Sequence, residues 1–545
     1  MSAADQLPTP LAKLKWERFA VAVAFIVLAV VLFAAAMTGR LNYDEEQYIA
    51  GAYFARDLKL YRDFVSFQPP MYTWILAAAF ELSGGWYLLV ARLITWTFSL
   101  GCCTLLFSLL LTLGTGPLVA SALVLMFVAC PFAWIPLTAA RNDIMPLFWL
   151  LLGIWLCFYP TGRLTASAAR SLFAGLVLSL AASTKYTYGF AAPIMGVAVL
   201  YDEYVAGGGK WRFAPRRTAA FVLGAALGAL PLVYFLVVDR ERFLFLTLFF
   251  HLTAIPQWYD AQGAGYVLTF GNRIRMLLLS ALQGSNAALL LVVTFSAFAL
   301  AVQRYRNGKG FSGLGPAFTL LALLLSSLVL AFATGPAAGN LSMYYVGVAA
   351  LAVLLAGWLY AAVRSSLPAW APLVIVILGV GFSLSALSEY RVALERSLYP
   401  SQWAGVQTHD AALKIADILA RHGVSGHVAT LFPMVALDAN RVLPQFAAGP
   451  FFYRSADLYN PDEVARLRGV GPATMDHLFM TASPPAAVVG GFGVVGFQHM
   501  DRALIEYARR MGYVLVLDGW TMTGYRQGQL WVRRASGDAA AAASR

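Results

Sequence analysis

The amino-acid sequence predicts an α-helical polytopic membrane protein of about eleven spans, followed by a small α/β domain outside the membrane. Two observations support this fold class. The 545 residues are 60% hydrophobic and only 12% charged, whereas soluble domains are roughly 25% charged. Apolar runs of about 20 residues, the length that a helix needs to cross a bilayer, recur along the chain.

The predicted spans alternate with loops of very different length. We place the spans near residues 19–38, 86–112, 118–137, 144–159, 171–184, 187–201, 218–238, 276–302, 316–334, 343–363 and 370–388. The first run follows Lys13, Lys15 and Arg18 and has no small-residue cleavage site. We therefore interpret it as a retained span rather than a signal peptide.

The basic residues predict how the spans are oriented. The loops assigned to the cytoplasm contain Arg163, Arg170, Lys210, Arg212, Arg216, Arg217, Arg304, Arg306, Lys309 and Arg364. This distribution follows the positive-inside rule, so the N-terminus is predicted to be cytoplasmic and the loops 39–85 and 239–275 to face outward. We expect a multi-pass protein of the bacterial inner membrane. The net charge is +12, but the basic residues form no continuous stripe, which argues against a nucleic-acid partner.

A change of composition near residue 389 predicts a domain boundary. We assign 1–388 to the membrane domain, with 39–85 as its first periplasmic loop, and 389–538 to a periplasmic α/β domain. The alanine-rich stretch 539–545 is predicted to be a disordered tail. Within the second domain, apolar patterning predicts three strands and two helices. The strands are expected at 428–432, 487–489 and 513–517, and the helices at 410–422 and 504–511.

The first outward loop opens with three consecutive acids directly after the first span. Asn42 and Glu45 have the spacing of a capping box, which predicts that a helix begins here. Asp44, Glu45 and Glu46 then occupy its first turn, where acids favour the helix dipole. The spacing alone leaves two interpretations open: a purely structural role, or one carboxylate that serves as a base or ligand at the membrane surface.

Further motifs follow this one in a characteristic order. They comprise Asp44, Glu45 and Tyr48, then Tyr61 and Asp63, the prolines Pro69 and Pro70, then Arg141 and Asp143, then Lys185, and finally Tyr344 and Tyr345. This series resembles the C-type glycosyltransferases, especially the protein O-mannosyltransferase and aminoarabinose-transferase superfamily and the bacterial Rgt-type lipopolysaccharide glycosyltransferases. Gln68 stands where many relatives have a lysine.

The resemblance implies a reaction and a set of site residues. It implies that a sugar moves with inversion from a polyprenyl-phosphate donor to a glycan, lipid or protein acceptor of the envelope, such as lipopolysaccharide or lipid A, on the periplasmic face. Asp44 is then the expected catalytic base. The expected substrate-binding residues are Glu45, Tyr48, Tyr61, Asp63, Arg141, Asp143, Lys185, Tyr344 and Tyr345. Whether a divalent metal is needed stays open.

Two other functions stay open at this point. A transporter or flippase of envelope glycolipids would carry charges and glycine- or proline-broken helices near the middle of the membrane. Here the predicted site residues lie in long outward loops and at span ends, which favours surface chemistry. The third interpretation is a non-catalytic scaffold of envelope assembly.

Overall fold

The computed structural model describes residues 10–159, 167–208, 216–308, 313–334, 338–481, 483–491, 500–522 and 525–534. The predicted tail 539–545 lies outside the described residues, as do four of the basic loop residues used to predict orientation: Arg163, Lys210, Arg212 and Lys309.

The N-terminal three quarters of the chain are helical. The helices are α1 (Pro10–Thr38), α2 (Tyr43–Phe54), α3 (Pro70–Ser83), α4 (Tyr87–Thr112), α5 (Pro117–Val128), α6 (Trp134–Thr138), α7 (Ile144–Phe158), α8 (Ala168–Thr184), α9 (Ala191–Ala206), α10 (Arg216–Val238), α11 (Arg240–Leu244), α12 (Phe250–Ala261), α13 (Phe270–Ala281), α14 (Ser285–Arg306), α15 (Gly315–Thr334), α16 (Ala338–Val363), α17 (Ala371–Ser385) and α18 (Leu387–Ser397).

Several of these helices can cross a membrane by length and composition. Within the described residues there are six, contained in α1, α4, α10, α14, α15 and α16, and a seventh if α17 and α18, which bend by 57°, form one broken span. Helices α5, α7 and α8 are apolar but have only 12, 15 and 17 residues. The chain is thus a helical membrane protein, while the count of eleven spans stays a prediction.

The segment 118–137, predicted as one continuous span, is interrupted. Helix α5 ends at Val128, and the chain turns before the short α6 begins at Trp134. Pro131 lies in this break, and proline lacks the N–H that would continue the helical hydrogen bonds. The prediction of a single helix across this segment was wrong. The predicted span 276–302 is interrupted as well, because α13 ends at Ala281 and α14 begins at Ser285.

The C-terminal part of the chain combines helices with one sheet. Its helices are α19 (Ala404–Arg421), α20 (Met434–Leu437), α21 (Pro450–Tyr453), α22 (Pro461–Arg466), α23 (Met475–Thr481) and α24 (Arg502–Arg510), and its strands are β1 (Val428–Thr430), β2 (Ala487–Gly490), β3 (Val514–Met522) and β4 (Tyr525–Val532). The strand order is β1-β2-β4-β3. Strands β1 and β2 are parallel, and β4 runs antiparallel to both of its neighbours.

The five elements expected from the sequence each overlap one of these, but the short helices α20 to α23 and the strand β4 were not expected. The first five residues of β4 are mostly polar and include Gly528, and its apolar residues are confined to the last three positions. Trp531 and Leu530 of β4 nevertheless pair with β2 in the centre of the sheet. The domain boundary near residue 389 stays a prediction.

The helix α2 lies between the membrane helices and the C-terminal part. The backbone N–H of Met434 donates to Glu46 Oε2 at 2.8 Å, and the Tyr53 hydroxyl donates to Asn440 Oδ1 at 2.7 Å. One apolar core contains buried side chains from both parts. Helix α2 is therefore held on two sides, which fixes the position of its acidic first turn.

Candidate active site

The predicted capping box starts α2. The Asn42 side chain accepts from the backbone N–H of Asp44 at 2.9 Å, and Glu45 Oε2 accepts from the N–H of Asn42 at 2.9 Å. The reciprocal box between Asn42 and Glu45 is complete, as the sequence predicted. All three acids of the first turn are buried, so they are not merely solvated charges on a helix surface.

Glu45 is fully engaged by structural contacts. Arg92 of α4 donates to both of its carboxylate oxygens, from Nε at 2.9 Å and from Nη2 at 2.8 Å. The backbone N–H of Ala140 also donates to Glu45, at 2.7 Å. Arg92 is only 1% exposed and further donates to three carbonyls at the end of α1, those of Ala36, Gly39 and Arg40. Glu45 thus joins α1, α2, α4 and the segment before α7.

Four residues that the sequence predicted for the site form one chain of ion pairs, which we call the charge cluster: Asp44, Arg141, Asp143 and Lys185. Arg141 Nη1 lies 2.7 Å from Asp44 Oδ2, and Arg141 Nε lies 3.0 Å from Asp143 Oδ2. Lys185 Nζ pairs with the other oxygen of Asp143. The cluster joins the start of α2, the start of α7 and the end of α8.

The charge cluster is removed from solvent. Asp44 and Arg141 are each 3% exposed, Asp143 is 0% and Lys185 is 7% exposed. Burial raises the pKa of Asp44, and the neighbouring Arg141 partly offsets this rise. Burial also lowers the pKa of Lys185, against the opposing effect of Asp143. Burial opposes the charge of Arg141 too, but Asp44 and Asp143 outweigh it and raise its pKa.

Two polar atoms of the cluster region have no hydrogen-bond partner among the described residues. They are Arg141 Nη2, a donor, and Asn142 Oδ1, an acceptor. The Asn142 amide nitrogen donates to Gln68 Oε1 at 2.6 Å, so the side chain is fixed. A buried donor and acceptor left unpaired are costly. Their presence beside the ion pairs is typical of a site that a ligand completes.

A second group of side chains packs near Tyr43, the residue before Asp44, and none of them was predicted. The Arg454 guanidinium lies 4.3 Å from the centre of the Trp258 ring and 5.2 Å from that of Phe451. Burial raises the pKa of Tyr43 to about 12, with Asp44 as the next cause. Burial lowers the pKa of Arg454, and Asp44 is among the groups that act against this shift. Tyr43, next to the acid, is thus packed against Phe451, and the Arg454 cation lies on the same ring.

The remaining first-loop residues differ in their relation to the cluster. Tyr48 lies close enough to Arg141 to influence its pKa. The buried Tyr61 hydroxyl donates to the Gln68 carbonyl at 2.5 Å, so it supports the residue that holds Asn142. Asp63 pairs with its neighbour Arg62 in an exposed part of the loop, and among the described contacts nothing brings it to the cluster. Substrate binding by these residues stays a prediction.

Of the late aromatic pair, Tyr345 has a described side chain, and it lies away from the charge cluster. The side chain of Tyr344 lies outside the described residues. Tyr345 is 5% exposed and packs against Phe132, with ring centres 5.4 Å apart, in a separate apolar core.

The described residues hold no group of three His, Cys, Asp or Glu side chains that could bind a metal ion. Asp44 and Asp143 are joined by Arg141, and a guanidinium occupies the place between the two carboxylates. Whether the protein needs a metal stays open.

Sequence analysis missed two cations of the site. Arg92 carried a signal, because a charged residue inside an apolar span requires a partner and is a functional candidate by default. Arg454 carried none, since it comes from a segment about 400 residues away from Asp44 and no local pattern links the two. Only the folded chain brings α21 beside the first loop.

Comparison with known proteins gives no sequence family. No protein-family model and no curated protein matches this chain. Among solved structures, ArnT from Cupriavidus metallidurans, bound to undecaprenyl phosphate, matches with a TM-score of 0.51 and 14% identity, over 93% of this chain and 97% of that chain.

Two further solved structures are similar. An oligosaccharyltransferase from Archaeoglobus fulgidus matches with a TM-score of 0.48 and 14% identity, over 88% of this chain and 70% of that chain. The protein O-mannosyltransferase complex of S. cerevisiae, bound to the sugar donor, matches with a TM-score of 0.34 and 16% identity, over 43% of this chain. This chain spans about a third (34%) of that protein's length. The likeness to ArnT, which covers nearly all of both chains, shows a shared fold.

Proposed function

We propose that this chain, which has the fold of the C-type glycosyltransferases, is an inverting glycosyltransferase. It would move a sugar from a polyprenyl-phosphate donor to an envelope acceptor on the periplasmic face. The observation that carries the proposal is the buried charge cluster at the ends of apolar helices, with Arg141 Nη2 and Asn142 Oδ1 unpaired among the described residues. Two carboxylates and two cations supply both the base and the phosphate-binding charge that the reaction needs.

Asp44 is the base in this proposal because the two other acids of α2 have structural partners. Glu45 is held by Arg92 and by Ala140, and Glu46 accepts from Met434 of the C-terminal part. Asp44 contacts Arg141, the residue with the unpaired nitrogen. Burial raises its pKa, which makes its carboxylate a stronger base for a hydroxyl proton.

The reaction needs one displacement at the anomeric carbon. The acceptor oxygen forms a bond to that carbon while the bond from the carbon to the phosphate oxygen breaks, and the electron pair leaves with the phosphate. The acceptor proton passes to Asp44. Attack from the side opposite the phosphate inverts the configuration, as in other single-displacement sugar transfers.

The leaving phosphate needs positive charge more than it needs a proton. Lys185 and Arg141 supply this charge, and Asp143 positions both of them because it contacts each through a different oxygen. Arg454, beside Asp44, is a third cation in reach of the same region. Fixed charges in a site shielded from water stabilise developing charge without reorganisation.

We also propose the finer topology predicted from the sequence. The chain would cross the inner membrane about eleven times with a cytoplasmic N-terminus, and 389–538 would form a periplasmic domain. The contacts of α2 with Met434 and Asn440 support placing the first loop and the C-terminal part on the same side.

The proposal is tested on the envelope itself. Lipid extracts from cells with and without the protein are compared by mass spectrometry, and one glycolipid should lose a single sugar mass when the protein is absent. A complementing copy should restore that mass. If no glycolipid or glycoprotein changes, the proposal is wrong. If sugar-loaded carrier accumulates on the cytoplasmic side of the membrane, a flippase becomes the better interpretation.

A further inference from the structure

A cavity lies near the charge cluster but is separated from it. It has a volume of about 630 Å³, within the range of about 300–1,000 Å³ that is usual for small-molecule sites. Its walls come from the end of α1, from α6 and from α18, with Asn42, Arg92 and Ala139 at its inner side. The buried pair between Arg92 and Glu45 forms a partition between this cavity and Asp44.

The position of the cavity points to the membrane surface. It includes Ala35 and Thr38, the last turn of a helix long enough to cross a bilayer. Trp134, which lines it, lies against Tyr390 with ring centres 5.2 Å apart. Tryptophan and tyrosine collect where the bilayer meets water. The cavity therefore lies at the level of lipid head groups.

The charge at the mouth of the cavity is suited to an anion. Arg40 and Arg396 line it and are exposed, and neither makes an ion pair within the described part of the chain. Glu389 is the acid of the lining, also exposed and without an ion pair among described residues. Since Arg92 is neutralised by Glu45, two cations face one anion. A guanidinium fork matches the oxygens of a phosphate.

Exposed apolar residues lie on α1 about two turns before Ala35, a residue that lines the cavity. Val27 lies eleven residues before Thr38, so it is displaced by only about 20° around α1 and belongs to the same face. Val27 is 55% exposed, and Val23, one turn further, is 42% exposed. An acyl chain can lie along this face while its head group occupies the cavity.

We propose that this cavity binds the phosphate-bearing, anionic head group of a membrane lipid, with Arg40 and Arg396 as its phosphate ligands. The size, the interfacial position, the surplus of positive charge and the adjoining apolar face of α1 all agree with this occupant. The site does not depend on the proposed sugar transfer, because Asp44 lies beyond the Arg92–Glu45 partition.

The test measures lipid retention by the purified full-length protein. The protein in mixed micelles is titrated with dioleoyl phosphatidylglycerol, and with dioleoylglycerol as the phosphate-free control, and bound lipid is counted by native mass spectrometry. The double substitution R40Q/R396Q should weaken phosphatidylglycerol binding by about 30-fold, which converts to about 2 kcal/mol at 25 °C. Removing the acid with Glu389→Gln should strengthen binding by about fivefold.

Matched variants separate this site from general surface charge. Arg391→Gln removes a cation from the same helix, but Arg391 pairs with Glu395 and does not line the cavity, so binding should not change. Asp44→Asn should also bind the lipid normally, whatever it does to sugar transfer. The proposal is overturned if R40Q/R396Q binds as the wild type does, if Arg391→Gln weakens binding equally, or if dioleoylglycerol binds as well. If R40Q/R396Q unfolds, the test rests on Glu389→Gln, and the proposal is overturned if that variant does not bind phosphatidylglycerol more strongly than the wild type.

Discussion

Replacing Arg92 by methionine tests whether Glu45 is a structural anchor or a substrate ligand. Arg92 is 1% exposed and makes five hydrogen bonds, two to Glu45 and three to carbonyls at the end of α1. Methionine keeps the apolar stem but leaves the Glu45 carboxylate buried without its cation. Breaking one side of a buried ion pair costs about 3–5 kcal/mol. We expect Arg92→Met to lower the free energy of unfolding by that amount.

The assay is denaturant unfolding in mixed micelles, followed by tryptophan fluorescence, together with the turnover of the folded fraction. Glu45→Gln should destabilise the protein in the same way, since an amide presents N–H donors to Arg92 or to the N–H of Ala140. The double variant should lose less free energy of unfolding than the sum of the two single losses, because each single variant already lacks the interaction between Arg92 and Glu45. If Glu45→Gln instead abolishes turnover at wild-type stability, Glu45 is a substrate ligand and the anchoring role is refuted.

Three further predictions concern charge and topology. Lys185→Ala should raise the KM for the lipid-linked donor by about tenfold or more, while Lys185→Arg should keep the KM close to that of the wild type. An unchanged KM for Lys185→Ala in steady-state assays would assign Lys185 to packing alone. The acid limb of the pH profile of kcat/KM should lie above pH 3.8, the ordinary pKa of aspartate, because burial raises the pKa of Asp44. Arg141→Gln removes a cation that lowers this pKa, so it should move the acid limb to still higher pH. A shift of the limb to lower pH would contradict the assignment of Asp44. Reporter fusions at Gly207 and Ser401 should report opposite sides of the membrane, and signals from the same side would refute the proposed topology.

The local features of the site were predictable because they depend on residues close in sequence. The capping box needs only Asn42 and Glu45 at the right spacing, and the structure has it. The meeting of Asp44, Asp143 and Lys185 was predictable from the order of spans, since the ends of alternate helices lie on one side of a membrane. Those ends are where the charge cluster forms.

The features that depend on distant segments were not predictable. The Met434 N–H bonded to Glu46 and the Arg454 guanidinium near Asp44 both come from the C-terminal part, and their sequences give no sign of these partners. The break between α5 and α6 was open to prediction from Pro131, but hydropathy alone obscured it. Strand β4 was missed because its apolar residues occupy only its last three positions, after a mostly polar stretch.

The central claim is that Asp44 is the catalytic base, and one rate measurement tests it most directly. Asp44→Asn keeps the size of the side chain and can still accept a hydrogen bond from Arg141, but it cannot take up a proton. With purified protein and a polyprenyl-phosphate-sugar donor, its turnover should fall by about 100-fold or more, in line with general-base contributions, at unchanged donor affinity. Glu46→Gln, which retains an oxygen for the Met434 N–H, is the matched control and should remain active. Transfer by Asp44→Asn at a rate near that of the wild type would contradict the account and make Asp143 the next candidate.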